Sequence, residues 1–160
     1  MTTNQQPPTI HVDLTHTPLH TPTILSKIRT PQAGALITFS GTTRAQNHSH
    51  AIDKLTYTSY PPLALRTMRT IATDAAEKHG LHGVAVVHRL GDVPVGEESI
   101  VVAVAATHRR EGWRAAEEVL DNVKARVEIW KWEGTVEGGG WWGDNVNCGG
   151  GGGGGAGECQ

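Results

Sequence analysis

The chain reads as an α+β fold, and three observations carry that reading. Short apolar, β-branched runs are interspersed with two long stretches of helical periodicity. The connections between them include tight turns as well as long crossovers, which argues against a doubly wound sheet. One run, IVVAVAAT from Ile100 to Thr107, is apolar on both faces, as a central strand must be. At 160 residues the chain is long enough for one domain with a real core.

Taken in order, Ile10 to Leu14 alternates apolar and polar residues and predicts a short strand. Thr23 to Arg29 follows Pro22 and predicts a short helix. Gly34 to Thr42 (GALITFSGT) predicts a buried strand that runs into a polar loop, Thr43 to His50. Ile52 to Tyr60 alternates again. Pro61-Pro62 then opens a helix, where a missing N–H costs least, and Ala64, Met68, Ile71, Ala72, Ala75 and His79 recur on one face up to Gly80. Val84 to Leu90 and Ser99 to Thr107 are strands joined by the turn-rich Gly91-Asp92-Val93-Pro94-Val95-Gly96. Glu111 to Ala125 predicts a helix with Trp113, Ala116, Val119, Leu120 and Val123 on its apolar stripe. Val127 to Trp132 predicts the last strand.

The folded unit is expected over residues 10–133, with flexible termini at 1–9 and 134–160. The second of these holds the unbroken Gly149–Gly155 run, which has nothing to bury and much entropy to lose on ordering, so disorder is expected. Both cysteines, Cys148 and Cys159, fall there too. A disulfide framework and a zinc site are therefore not expected, nor any other metal or cofactor, and a reducing, cytosolic setting fits. A net charge of -2 provides no field to hold nucleic acid. No apolar run approaches the ~20 residues of a membrane span, and the N-terminus lacks a signal-peptide pattern.

Against this ordinary background the cations stand at the ends of elements, where binding groups are displayed. Lys124, at ~100° per residue, lies about 20° from Trp113 at the edge of the apolar stripe. A lone lysine there commonly snorkels; apolar walls and cationic neighbours would instead lower its pKa and free it as nucleophile or base. Lys131 lies between Trp130 and Trp132 and, on a strand, faces opposite to both. It belongs either to a solvated face or to a cleft. His108-Arg109-Arg110 precedes a helix, a setting that suits an anion, although pairing with Glu111 or Glu118 is the plainer role. Arg44 carries the same ambiguity. His48 and His50, an i, i+2 pair in a polar loop, carry no metal reading.

Helix length constrains the set. From Glu111 to Lys124 a helix spans ~20 Å, so His108 and Lys124 stand at opposite ends of one rod. If these cations act together, the site is assembled from two protomers.

The blocks Gly34-Ala35-Leu36-Ile37-Thr38-Phe39-Ser40-Gly41-Thr42-Thr43-Arg44, His88-Arg89-Leu90-Gly91, Val93-Pro94-Val95-Gly96, Thr107-His108-Arg109 and Lys124-Ala125-Arg126 with Ile129-Trp130-Lys131 resemble, in order and spacing, the large catalytic subunit of molybdopterin synthase. The resemblance covers essentially the whole folded unit. It implies an α/β-hammerhead-like mixed sheet with packed helices. It also implies an enzyme that converts cyclic pyranopterin monophosphate into molybdopterin by installing two dithiolene sulfurs. The sulfur would come from the thiocarboxylated Gly-Gly terminus of a small ubiquitin-like partner, within a heterotetramer built around a dimer of large subunits. By position, Lys124 and Lys131 would be catalytic. His108 and Arg109 would bind substrate from the other protomer, and Arg44, Lys131, Trp132 and Glu133 would complete the pocket.

The chain departs from the family pattern in three places. Glu128 stands where a proline is usual, which would put a carboxylate near the lysines and raise their pKa values. Thr58-Ser59 precedes Tyr60 in place of an acidic residue, and the tail is glycine-rich. Two other readings remain. A non-enzymatic module could bind a phosphorylated metabolite through Arg44, His108, Arg109 and Arg110. A sulfur carrier would need a terminal Gly-Gly, which Gly157-Glu158-Cys159-Gln160 does not provide.

Overall fold

The chain begins with β1 (Thr9–Thr15) and α1 (Thr21–Ser26), then β2 (Ala35–Thr42), β3 (Gln46–Asn47) and β4 (His50–Ser59). Helix α2 (Pro61–His79) leads to β5 (Gly83–Arg89), β6 (Gly91–Pro94) and β7 (Glu98–Ala106). Helix α3 (Arg109–Arg126), β8 (Ile129–Thr135) and β9 (Gly140–Trp142) complete it. This computed structural model describes residues 6–143; Cys148, Cys159 and the Gly149–Gly155 run lie outside the described residues.

Strands β5 and β7 pair antiparallel at the centre of a four-stranded sheet ordered β1-β5-β7-β2. Every residue of β5, and all but the first of β7, is buried. The pleat sends alternate side chains to opposite layers. Val84, Val86, Val102 and Val104 meet α2 and α3, with Met68, Ile71, Val119 and Val123. Ala85, Val87, Val101 and Ala103 meet Ile24 and Ile28 at α1 and the turn after it. Two helices cover one face and one short helix the other.

Helix α2 starts on its prolines and stops at Gly80, whose φ of 61° lets its N–H return to the Ala76 carbonyl. Glu118 on α3 bonds both Lys78 (2.9 Å) and His79 (2.8 Å) at the end of α2. A second sheet runs β3-β4-β8-β9, with β6 on the other edge of β4. Only Leu90 separates β5 from β6, so one chain direction is handed from the first sheet to the second.

The α+β class and the main elements match the sequence reading, with local corrections. Strand β2 is an edge strand, paired only with β7, and Ile37 is its one buried residue. The turn-rich connector and the polar loop contain β6 and β3, short strands that pairing with β4 creates. The sheet continues past Glu133 through β8 and β9, beyond where composition ended the folded unit. On α3 the stripe is rotated: Trp113 is 62% exposed, while Gly112, Ala115, Ala116, Val119 and Val123 are buried. The reason is close approach. A Cβ at position 112 would stand 2.8 Å from Ile37 Cγ1, so small residues set the helix–sheet distance and the large Trp is turned out.

Met68 is fully buried at the heart of the larger core. Met68→Ala is expected to cost about 2–5 kcal/mol, measured as the difference in urea unfolding free energy from wild type. A cost under about 0.5 kcal/mol would contradict this packing.

Candidate active site

One cleft of about 350 Å³ lies where the two sheets meet, against the C-terminal end of α3. Phe39, Ile100, Val123 and Ile129 contribute apolar wall; Arg44, Lys124, Lys131 and Glu133 bring the charges. Strand alternation explains the β8 contribution. Ile129, Lys131 and Glu133 share the face that lines the cleft. Trp132 is on the opposite face, its ring edge-on to Trp142 at 5.3 Å, so it does not line the cleft as the sequence suggested.

One of these cations, Lys131, is tied to a buried acid. Glu133 is 3% exposed, with Lys131 Nζ 2.6 Å from Oε1 and Asn47 donating to Oε2. Burial alone would raise its carboxyl pKa. The hydrogen bonds from Lys131 and Asn47, with the charges of Lys131 and Arg44, outweigh that and hold it below the ordinary value. The main chain presses on this pair as well. Gly143 donates its N–H to the Lys131 carbonyl at 2.8 Å. A Cβ on Gly143 would come within 2.3 Å of Lys131 Cε.

Lys124 is exposed at the rim, in the last turn of α3, where a cation complements the helix dipole. His108 caps the other end of the same helix, and Arg109 and Arg110 follow it; all three are exposed and none lines the cleft. The rod argument from sequence therefore holds within one chain. Glu128 corrects another expectation. Its carboxylate accepts from Thr67 of α2 at 3.2 Å instead of facing the lysines, and Ser59 donates to its carbonyl at 2.9 Å. His50 packs on Trp141 at 5.1 Å. Among the described residues no group of three or more His, Cys, Asp or Glu could hold a metal.

Asn47, Tyr57 and His88 line the cleft without having been assigned to it from sequence. Tyr57 could have been found, because it alternates with Leu55 on β4 and both face the cleft. Burial raises its phenol pKa, the Ser99 hydrogen bond lowers it, and Glu133 raises it; the net direction is up. His88 lies edge-on to Tyr57 at 4.7 Å. Its Nδ1 donates to the Arg89 carbonyl at 2.8 Å, and burial lowers its pKa to about 4 despite that bond.

The MoaE protein family model matches residues 14–126. The chain belongs to the MoaE family. The chain is 52% identical over 139 residues to a Neurospora crassa molybdopterin synthase catalytic subunit, covering 86% of this chain and 68% of that one. With an Aspergillus clavatus protein of the same name the identity is 54% over 136 residues, covering 85% and 69%. Among solved structures, molybdopterin synthase from Staphylococcus aureus superposes with a TM-score of 0.77 at 26% identity, covering 82% of this chain and 95% of that one. A complex of subunits 1 and 2 of molybdopterin-converting factor from Helicobacter pylori shares the fold, with a TM-score of 0.66 at 20% identity, covering 84% and 89%. As a MoaE member the chain is an enzyme subunit, the catalytic part of molybdopterin synthase, and acts in molybdenum cofactor biosynthesis.

Two expectations follow. Lys131→Met removes the partner of Glu133, so the Glu133 carboxyl should titrate at higher pH than in wild type, read from its 13C shift; an unmoved titration would refute the pairing. His88 binds its proton less readily folded than unfolded, so the unfolded state holds more protons between pH about 6.5 and about 4. Stability from this group is present above 6.5 and is lost as pH falls toward 4. At about 1.4 kcal/mol per pKa unit the full loss is roughly 3 kcal/mol. Urea unfolding at pH 7 and 4.5 should show a smaller pH-driven loss for His88→Phe than for wild type. Equal losses would contradict the buried neutral imidazole.

Proposed function

We propose that the cleft transfers sulfur from a thiocarboxylated Gly-Gly terminus of a small ubiquitin-like partner to cyclic pyranopterin monophosphate, forming the dithiolene of molybdopterin. The observation that carries this reading is the gathering of Arg44, Lys124 and Lys131 around one apolar-walled cleft that holds a single, fully engaged carboxylate. Both reactants are anions. A fixed cationic site offsets their repulsion and stabilises charge developing during transfer, at no cost of reorganisation.

Lys124 and Lys131 are the catalytic lysines in this reading. Either the amine attacks the acyl carbon, forming an amide as the C–S bond breaks and hydrosulfide leaves for the pterin, or it carries protons between sulfur and the pterin. His108 and Arg109 reach the substrate from a second protomer, since α3 holds them at the far end of the helix from Lys124. Arg44 and Glu133 complete the pocket from the same chain as the lysines. The assembly is a dimer of this subunit carrying two small partners, and the solved Helicobacter relative, itself a two-subunit complex, fits that arrangement. The setting is the cytosol, and no nucleic acid or membrane takes part. Among the described residues no helix is long and apolar enough to cross a membrane.

Reconstitution with a thiocarboxylated partner and cyclic pyranopterin monophosphate tests the proposal. Wild type should form the dithiolene, and Lys124→Ala and Lys131→Ala should each lower the rate on the order of 100-fold or more, with partner association retained in size-exclusion chromatography. Lysine variants with full activity would remove Lys124 and Lys131 from the chemistry, whereas a wild type that binds cyclic pyranopterin monophosphate without forming the dithiolene would favour a binding module without catalysis. A strictly monomeric wild type at micromolar concentration would remove the two-protomer site.

A further inference from the structure

His88 is the one imidazole in the cleft wall, and the described structure leaves half of it unused. Nδ1 is committed as a donor to the Arg89 carbonyl at 2.8 Å, which leaves Nε2 as the bare, lone-pair nitrogen. Among the described residues no hydrogen bond engages Nε2, and His88 is part of the cleft lining. The edge-on contact with Tyr57 fixes the ring plane.

The surroundings define what such a nitrogen is for. Arg44, Lys124 and Lys131 are donors only, and both oxygens of Glu133 are engaged, by Lys131 and by Asn47. Those groups suit the phosphate and sulfur ends of the reaction. They offer little to a ligand that brings its own N–H groups, which leaves His88 Nε2 and the neutral oxygens of Thr42, Gln46, Asn47 and Ser99 as acceptors in the cleft lining. We propose that His88 Nε2 accepts a hydrogen bond from an N–H or O–H of the substrate's ring system, orienting the heterocycle while the cations hold the anionic end.

The role is that of acceptor and not of proton carrier. With burial holding the imidazole pKa near about 4, its protonated form is scarce at neutral pH and the acceptor is present throughout. A carrier would need a pKa near the working pH. The proposal rests on the functional reading above for the identity of the ring, and adds a specificity residue that this reading did not require.

The test is calorimetric titration of the full chain with cyclic pyranopterin monophosphate and, separately, with inorganic phosphate as a probe of the cation set alone. His88→Phe keeps the ring contact with Tyr57 and removes the acceptor. Its affinity for the pterin should fall roughly 10- to 100-fold, with phosphate affinity within about threefold of wild type. His88→Gln, which returns an acceptor oxygen, should recover most of the loss. If thermal melting shows that His88→Phe does not fold, His88→Met against His88→Gln makes the same comparison. Unchanged pterin affinity in His88→Phe overturns the proposal, as does an equal loss for both ligands. A wild type that binds phosphate but no pterin overturns the functional reading, and this inference with it.

Discussion

The rest of the molecule depends on the burial of β5 and β7 on both faces. A strand pair that shows no side to water must be covered twice, and the three helices divide accordingly: α2 and α3 on one face, α1 on the other. The same burial leaves no room for the polar ends of these strands inside the first sheet. The chain leaves β5 after His88 and Arg89, crosses Leu90 and enters β6, and the second sheet grows around β4 from there. The cleft is the seam between the two sheets. Its polar groups are there because that is where a doubly covered strand pair runs out.

Much of this could be read from the chain in advance, for identifiable reasons. Period-2 and period-3.6 patterns located the long elements, because burial on a single face or stripe imposes those periods directly. Proline and glycine marked both ends of α2 because their backbone limits are local. What escaped was decided by partners remote in sequence. Strands β3 and β6 have no apolar signature; they are strands because β4 offers free edges. The rotation of α3 depends on Ile37 meeting Gly112, a contact between residues 75 positions apart. Hydrophobicity alone put Trp113 inside, whereas close packing favours the smaller residues.

The site was legible to a similar depth. Lys131 had to oppose its flanking tryptophans by strand alternation, and helix length had to separate His108 from Lys124. Trp132 was placed beside Lys131 in the pocket by the family resemblance, and adjacency along a strand is a change of face. Glu128 was expected among the lysines for the same reason, but it precedes β8 and turns toward Thr67 of α2. Asn47 and His88 were invisible as cleft residues because nothing local says which face of the seam a loop residue or a strand-terminal residue will take. The cleft that results has an arithmetic of charge that no single block of sequence contains. Among the described residues of the cleft one acid, held ionised by a lysine, an amide and the charge of Arg44, faces three cations.

Gly143 contributes no functional group, yet its backbone lies where any side chain would collide with the Lys131 stem. The reach of the lysine is thus gauged by the bare main chain across from it. A Cβ at 143 would stand 3.0 Å from both the Lys131 ammonium and Glu133 Oε1, so a side chain there would displace the ion pair without replacing either of its charges. Chemistry in the cleft can therefore be retuned from a position that every inventory of reactive residues passes over.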